Sequence, residues 1–267
     1  MEKVFDLLRL DGKVAVVTGG HAWLGFDAAC ALAEAGADIV ITSRDKSTLG
    51  PVLNEISNTF GVRTMGVQMD QRNYDEVQAA MDEVVKEFGH IDILVNNAGG
   101  GSGKAEGNLF QRDPEVIKNL IETNLTGLIY CCRAAGKYMI EQKSGKIINI
   151  GSIAGMCGRD RDLYHRTNKM EQPVDYSAAK GGVISVTRDI AATVAPYGVN
   201  VNCISPGGFD KGEPRAFVAE YSKLAALGRM GQLGKDLKGA ILLFASPAGD
   251  YITGQNLLVD GGFVMLK

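Results

Sequence analysis

The 267-residue sequence predicts a single doubly wound α/β domain on a mainly parallel seven-stranded sheet, and two patterns predict it. Short apolar, β-branched runs recur at 14–17, 39–41, 62–67, 91–95, 146–150, 199–204 and 257–259, each bounded by Gly, Asn, Asp or Ser, as strands buried on both faces would be. Between them lie longer stretches with helical apolar spacing, at 24–35, 74–88, 114–142 and 174–195, and such alternation closes a parallel sheet through right-handed crossovers. No Pro/Gly/Ser tract splits the chain and no segment repeats, so 1–267 reads as one domain, with 45% apolar residues to fill its core.

The formal charge of −3 comes from 28 basic and 31 acidic residues without a basic block, which argues against a nucleic-acid or anionic-membrane partner. No apolar run approaches the roughly 18 residues that span a bilayer. The opening MEKVFDLLRLDGK has charges where a signal peptide carries its apolar stretch, so the expected location is cytoplasmic. Cys30, Cys131, Cys132, Cys157 and Cys203 form no C-x-x-C pair, and the three histidines have no metal-ligand spacing, so no disulfide framework and no metal are expected. The partner expected is a small-molecule substrate.

Two stretches read as irregular, the glycine-rich 99–108 and the polar 158–172, and both follow predicted strands. In open parallel sheets ligands bind beyond the carboxyl ends of strands, which makes these natural substrate-contacting loops; two plain solvated loops are the alternative. Gly99-Gly100-Gly101-Ser102-Gly103-Lys104 imitates a nucleotide-triphosphate loop, but Ala98 and Ala105 stand where that motif needs Gly and Ser/Thr, so it reads as a flexible active-site loop.

After the first strand comes Thr18-Gly19-Gly20-His21-Ala22-Trp23-Leu24-Gly25, followed by a helix of small residues. Glycine permits a tight turn, and the unpaired N–H groups of the following helix favour a pyrophosphate; an ordinary strand-to-helix turn is the competing reading. The second strand ends Ser43-Arg44-Asp45, where an acidic residue would bond a ribose 2′-hydroxyl and an arginine would accommodate a 2′-phosphate. Arg44 favours NADP, with NAD as the alternative and an ordinary surface arginine as the third possibility.

Tyr176 and Lys180 stand four apart at the start of a predicted helix, so both project from one face. A phenol titrates near pH ~10 when unperturbed, and a neighbouring ammonium favours the phenolate, which suits Tyr176 to proton transfer. With Ser152 after the fifth strand, Asn124 in the long helix, Asn96-Asn97-Ala98-Gly99, Asp70, Pro206-Gly207, Gly254-Gln255 and Asp260-Gly261-Gly262, the chain resembles the short-chain dehydrogenase/reductase family in order and over almost its whole length.

The resemblance implies a Rossmann-type NAD(P)-dependent oxidoreductase that interconverts a secondary alcohol and a ketone. Ser152 would bond the substrate oxygen, Tyr176 would move the proton, Lys180 would bind the nicotinamide ribose while acidifying Tyr176, and Asn124 would hold a relay water. Cofactor contacts would come from Thr18, Gly19, His21, Trp23, Leu24, Ser43, Arg44, Asn97, Ala98 and Gly99. Asp70 would serve the adenine side, Asn96 the sugar, and Pro206 and Gly207 the nicotinamide.

Three features depart from the family's pattern. Trp23 occupies the middle glycine position of the T-G-x-x-x-G-x-G turn, where it would crowd the cofactor unless Gly20 redirects the loop. Ser152 and Tyr176 are separated by 23 residues, about twice the usual interval, which makes 158–172 an active-site insertion. After Pro206-Gly207 the frequent threonine is replaced by Gly208-Phe209-Asp210-Lys211.

The insertion carries Arg159, Arg161, His165, Arg166 and Lys169 against Asp160, Asp162 and Glu171, either an anion clamp or a self-paired solvated loop. Arg159, His165 and Phe209 are the substrate-contact candidates, with Ser152. The pattern is most similar to gluconate 5-dehydrogenase-type sugar-acid and polyol oxidoreductases; a 3-oxoacyl thioester reductase and a non-catalytic dinucleotide-binding scaffold are the alternatives. The resemblance also implies a homotetramer, joined through the helices carrying Asn124 and Tyr176 and through the apolar Phe263-Val264-Met265-Leu266 ending, which would otherwise pack on its own subunit.

Overall fold

A computed structural model describes residues 2–101 and 105–266. Seven strands, β1 (Val14–Thr18), β2 (Asp38–Ser43), β3 (Thr64–Gln68), β4 (Ile93–Asn96), β5 (Gly145–Ile150), β6 (Val199–Pro206) and β9 (Asn256–Val259), form one sheet in the order β3-β2-β1-β4-β5-β6-β9. Every pairing in it is parallel. A separate two-stranded ribbon pairs β7 (Phe209–Asp210) with β8 (Gly231–Gln232). All five residues of β1 are buried, which is why the central strands are continuous apolar runs without alternation.

Helices cover both faces. On one, α3 (Tyr74–Phe88), α5 (Gly127–Gln142) and α7 (Val174–Val194) bury Met81, Val84, Cys131, Met139 and Val183 against the sheet. On the other, α1 (Trp23–Glu34), α2 (Leu49–Phe60) and α9 (Lys238–Ala245) bury Leu32, Ile56, Ile241 and Phe244. The predicted helix over 114–142 is divided: α4 (Pro114–Ile121) passes into a π-helical turn, Glu122–Thr126, before α5 begins.

The helical spacing did not disclose α2, α9 or α8 (Arg215–Ser222). The eight residues of α9, KGAILLFA, are almost wholly apolar, and a short apolar run carries no periodicity to separate helix from strand. In α2, Pro51 falls in the first turn, where its missing N–H removes no helical bond, and Gly61 closes the helix at φ 73°.

The stretch 158–172 is not an irregular loop. It contains α6 (Arg161–Arg166), whose start is capped by Asp160 Oδ1, accepting from the N–H groups of Asp162 (3.0 Å) and Leu163 (3.4 Å). Leu163 and Tyr164 anchor α6 in a third small core with Phe217, Tyr221, Met230 and Phe263. Phe263 stacks on Tyr221 at 5.0 Å between ring centroids, so this part of the apolar ending packs on its own subunit while Met265 stays exposed.

The first turn of α7 is fixed by a buried ion pair. Arg112 Nη2 donates to Asp175 Oδ2 at 2.7 Å, and the two side chains are 1% and 5% exposed. Removing one partner of such a pair strands the other charge in a dry site, at a cost of about 3–5 kcal/mol. Arg112→Met is therefore expected to lower the unfolding free energy by about 3 kcal/mol or more in urea titrations, and a second change, Asp175→Leu, to restore part of it. A loss below about 1 kcal/mol for Arg112→Met would mean that the pair does not anchor α7.

Candidate active site

The strand order reverses between β1 and β4, and beyond their carboxyl ends lies a cleft of about 1010 Å³. The turns after these strands are tied together. Thr18 Oγ1 accepts from the N–H groups of Asn97 and Ala98, both at 3.0 Å, while Asn97 Nδ2 donates to the carbonyls of Thr18 and Gly19, both at 3.1 Å. Thr18 is fully buried and does not reach the cleft, so its side chain braces the cradle instead of forming its wall. Asn96 likewise lies beneath the cleft, donating to Asn149 Oδ1 at 2.9 Å, and the sugar contact expected of it is not available to that amide nitrogen.

Gly19, His21, Trp23 and Leu24 line the cleft. Gly25 is required by close approach: a Cβ there would lie 2.4 Å from Asn97 Nδ2 and 2.5 Å from the Gly19 carbonyl. Trp23 adopts φ 51°, the left-handed conformation natural to glycine, at a strain of about 1–2 kcal/mol. Its ring is half-exposed and lies 5.6 Å from Lys211 Nζ. At Gly20 an added Cβ would lie 3.1 Å from the Val17 side chain and 3.2 Å from that of Ile41, so the turn is close-packed there. Ala22 gives α1 no side-chain cap, and the His21 Nδ1 atom is buried without a partner among the described residues. A glycine-shaped turn with an uncapped helix start and an orphaned polar atom fits the pyrophosphate of a dinucleotide.

Farther along the cleft, Ser43 is buried and Arg44 is exposed. Asp45 Oδ1 accepts from Ser47 N–H (2.9 Å) and Ser47 Oγ (2.6 Å), so this carboxylate is held by the turn that follows. Asp70 is paired with Arg72 at 2.6 Å, which holds the carboxyl below its usual range.

Ser152, just after β5, and Tyr176, in the first turn of α7, both line the cleft, and the Ser152 hydroxyl is close enough to the phenol to favour its charged form. Burial raises the Tyr176 phenol above its usual value; the Ser152 hydroxyl and then the Arg159 guanidinium pull it back down. Lys180 Nζ donates to the Ile150 carbonyl at 2.7 Å and lies 5.8 Å from the Tyr176 ring centroid. Burial brings this ammonium down to about 8. The Arg159 guanidinium stands beside the same phenol, its Cζ 5.5 Å from the ring centroid, so two cations flank Tyr176.

The π-helical turn carries Asn124, and π turns recur at functional sites because they re-aim a side chain. Asn124 Oδ1 accepts from Gly100 N–H (2.9 Å), and Nδ2 donates to the Gly100 (3.0 Å) and Leu120 (3.1 Å) carbonyls. Gly99, at φ 144°, has no room for a Cβ, which would lie 2.5 Å from Asn124 Oδ1. Ala98, Gly99, Pro206 and Gly207 complete this part of the wall. Of the 99–108 loop, Ser102, Gly103 and Lys104 lie outside the described residues.

At the far end, Arg159 lines the cleft, but His165 does not: it is largely exposed, with Nε2 3.1 Å from Glu171 Oε1. Phe209 reaches the wall but is buried, its ring packed over Gly231. Leu163, Tyr164, Phe217, Tyr221, Met230 and Phe263 form an apolar and aromatic wall that the sequence reading missed. Phe217 and Tyr221 do stand one helical turn apart, a signal hidden by the brevity of α8.

The drop at Lys180 from 10.5 to about 8 is equivalent to roughly 3 kcal/mol of destabilisation by the charged form. Because the folded value lies below the unfolded one, the cost is fully present below pH about 8 and fades as the pH approaches 10.5. Lys180→Met is expected to raise the unfolding free energy at neutral pH by about 1–3 kcal/mol and to lose that advantage near pH 10.5. A variant less stable than the parent at neutral pH would contradict this.

The short chain dehydrogenase profile matches residues 13–219. The chain is 35% identical to a 2-dehydro-3-deoxy-D-gluconate 5-dehydrogenase of Escherichia coli over 98% of this chain and 99% of that one. It is 36% identical to a 3-oxoacyl-[acyl-carrier-protein] reductase of Synechocystis, over 97% and 100%. Among solved structures, a gluconate 5-dehydrogenase of Burkholderia cenocepacia in complex with NADP and tartrate superposes with a TM-score of 0.88 at 33% identity, covering 98% of this chain and 99% of that one. With this fold and this agreement along its length, the chain belongs to the short-chain dehydrogenase/reductase family and is an oxidoreductase acting on CH–OH groups.

Proposed function

We propose that the chain moves a hydride between NADP(H) and the secondary alcohol or ketone carbon of a small polar substrate, of the sugar-acid or polyol class. The observation that carries this reading is the meeting of Ser152 and Tyr176 in one cleft, with Lys180 below them and Asn124 behind the adjoining loop. When bound, the nicotinamide supplies or accepts the hydride. The chain's residues hold and orient. The Gly19–Gly25 turn and the start of α1 would receive the pyrophosphate, Ala98, Gly99, Pro206 and Gly207 the nicotinamide half, and Lys180 the ribose.

The Ser152 hydroxyl orients the substrate oxygen, and the Tyr176 hydroxyl gives its proton to a forming alkoxide or takes one from an alcohol. A phenol held high by burial favours the proton-donating form, while Arg159 and Ser152 keep the phenolate within reach. Arg44 beside the adenine end, with His21 lower in the turn, supports NADP over NAD. The reading includes a cytoplasmic homotetramer. Support for assembly is the exposed Ile129 on α5, and no disulfide links the five cysteines. No helix among the described residues is long and apolar enough to cross a membrane.

The test is turnover of keto sugar acids, polyol-derived ketones and 3-oxoacyl thioesters, with cofactor binding read in parallel from Trp23, the one tryptophan in the chain. NADPH should quench Trp23 more tightly than NADH, and Arg44→Ala should weaken NADPH by about 10- to 100-fold with little effect on NADH, as expected for loss of a charge-assisted bond. Tyr176→Phe should bind cofactor and lose nearly all turnover. Full turnover in that variant, or a preference for thioesters, would replace this reading; no binding and no turnover would favour the scaffold.

A further inference from the structure

We propose that the insertion builds a carboxylate-binding subsite centred on Arg159, so that the substrate is an anion held beside the reacting carbon; this rests on the reading above and narrows it to the acid rather than the polyol. Charge accounting within the insertion carries the inference. Arg161 is paired with Glu171 at 2.9 Å, and His165 reaches the other oxygen of the same carboxylate. Arg166 lies between Asp160 (3.5 Å) and Glu220 (3.9 Å), and Lys169 is paired with Glu213. Asp162 is exposed on the outer side.

Among the described residues, Arg159 alone of these cations has no carboxylate partner. Its Nη1 donates to the main-chain carbonyls of Gln172 (2.9 Å) and Pro173 (3.4 Å), while Nη2 is buried with no partner among the described residues. A half-buried guanidinium with one buried nitrogen unsatisfied is unfavourable unless something supplies an acceptor. It also lies in the cleft, 5.5 Å from the Tyr176 ring centroid, facing a wall otherwise made largely of apolar and aromatic side chains. The planar fork of arginine matches a carboxylate in two parallel bonds, and a dry wall strengthens them. The two bonds to carbonyls fix the fork before the ligand arrives, so little freedom is lost on binding.

The arrangement also explains why self-pairing of the insertion and an anion clamp are not exclusive. The paired residues lock α6 in place, and the one left over lines the cleft.

The probes are sodium D-gluconate and tartrate with their amides, which differ in replacing –COO⁻ by –CONH₂, titrated calorimetrically into the protein saturated with NADP⁺. At least one carboxylate should bind about 10- to 100-fold more tightly than its amide, the value of a charge-assisted bond to arginine. Arg159→Gln should abolish the preference by weakening the carboxylate alone, and Arg159→Lys should keep part of it. Quenching of Trp23 by NADPH reports whether each variant retains its fold. Equal binding of acid and amide to the parent protein, a preference undiminished in folded Arg159→Gln, or binding of neither acid would overturn the proposal. Turnover of neutral alcohols without any carboxylate preference would do so while leaving the oxidoreductase reading intact; carboxylate binding without turnover of any substrate would have the opposite meaning.

Discussion

The hydrogen-bonded knot between Thr18, Gly19, Asn97 and Ala98 is the constraint on which the cleft depends. At the reversal of strand order the chain leaves β1 and β4 in opposite directions, which opens a crevice that would otherwise be held only by loops. The Thr18 hydroxyl and the Asn97 carboxamide use their bonding capacity on backbone groups of the facing turn, which makes two loops into one rigid floor. Gly25 lets Asn97 approach, and Asn124 repeats the device one loop farther on by binding both backbone groups of Gly100. A cofactor placed on this floor has its position set before any contact to substrate is made.

Burial of cations is the second theme. Arg112 is dry and matched to Asp175, so it fixes the start of the helix that presents Tyr176. Among the described residues, Lys180 is dry and hydrogen-bonded to a carbonyl without a carboxylate, and Arg159 has a buried nitrogen without a partner, so both are held at a cost in stability. Paired charge is used where the fold needs anchoring, and under-paired charge faces the space where ligands would bring oxygen atoms. Such division is expected where stability is exchanged for function.

Much of this was legible in the sequence. All seven strands of the main sheet stand where β-branched runs predict them, because parallel strands buried on both faces leave an unambiguous apolar signature. Ser152, Tyr176 and Arg159 were named from the sequence and line one cleft, whereas His165 was named for its charge and lies outside it. Composition could not say that Glu171 would take up both His165 and Arg161, since pairing depends on the fold of α6. Trp23 illustrates the same limit: sequence shows a bulky residue in a glycine position, but only the backbone angle and the half-exposed ring beside Lys211 show how it is accommodated. The π turn at Asn124 was invisible because one extra residue in a helix barely perturbs its apolar spacing.

The central claim is that the cleft joins a hydride carried by the nicotinamide to a proton carried by Tyr176. Following turnover of a ketone with NADPH labelled by deuterium on the nicotinamide ring tests it most directly, with the product analysed by nuclear magnetic resonance. The account predicts deuterium on the new carbinol carbon, a slower reaction with labelled cofactor in the parent protein, and no labelled product from Tyr176→Phe. Unlabelled product, or label transfer undiminished by that substitution, would contradict it.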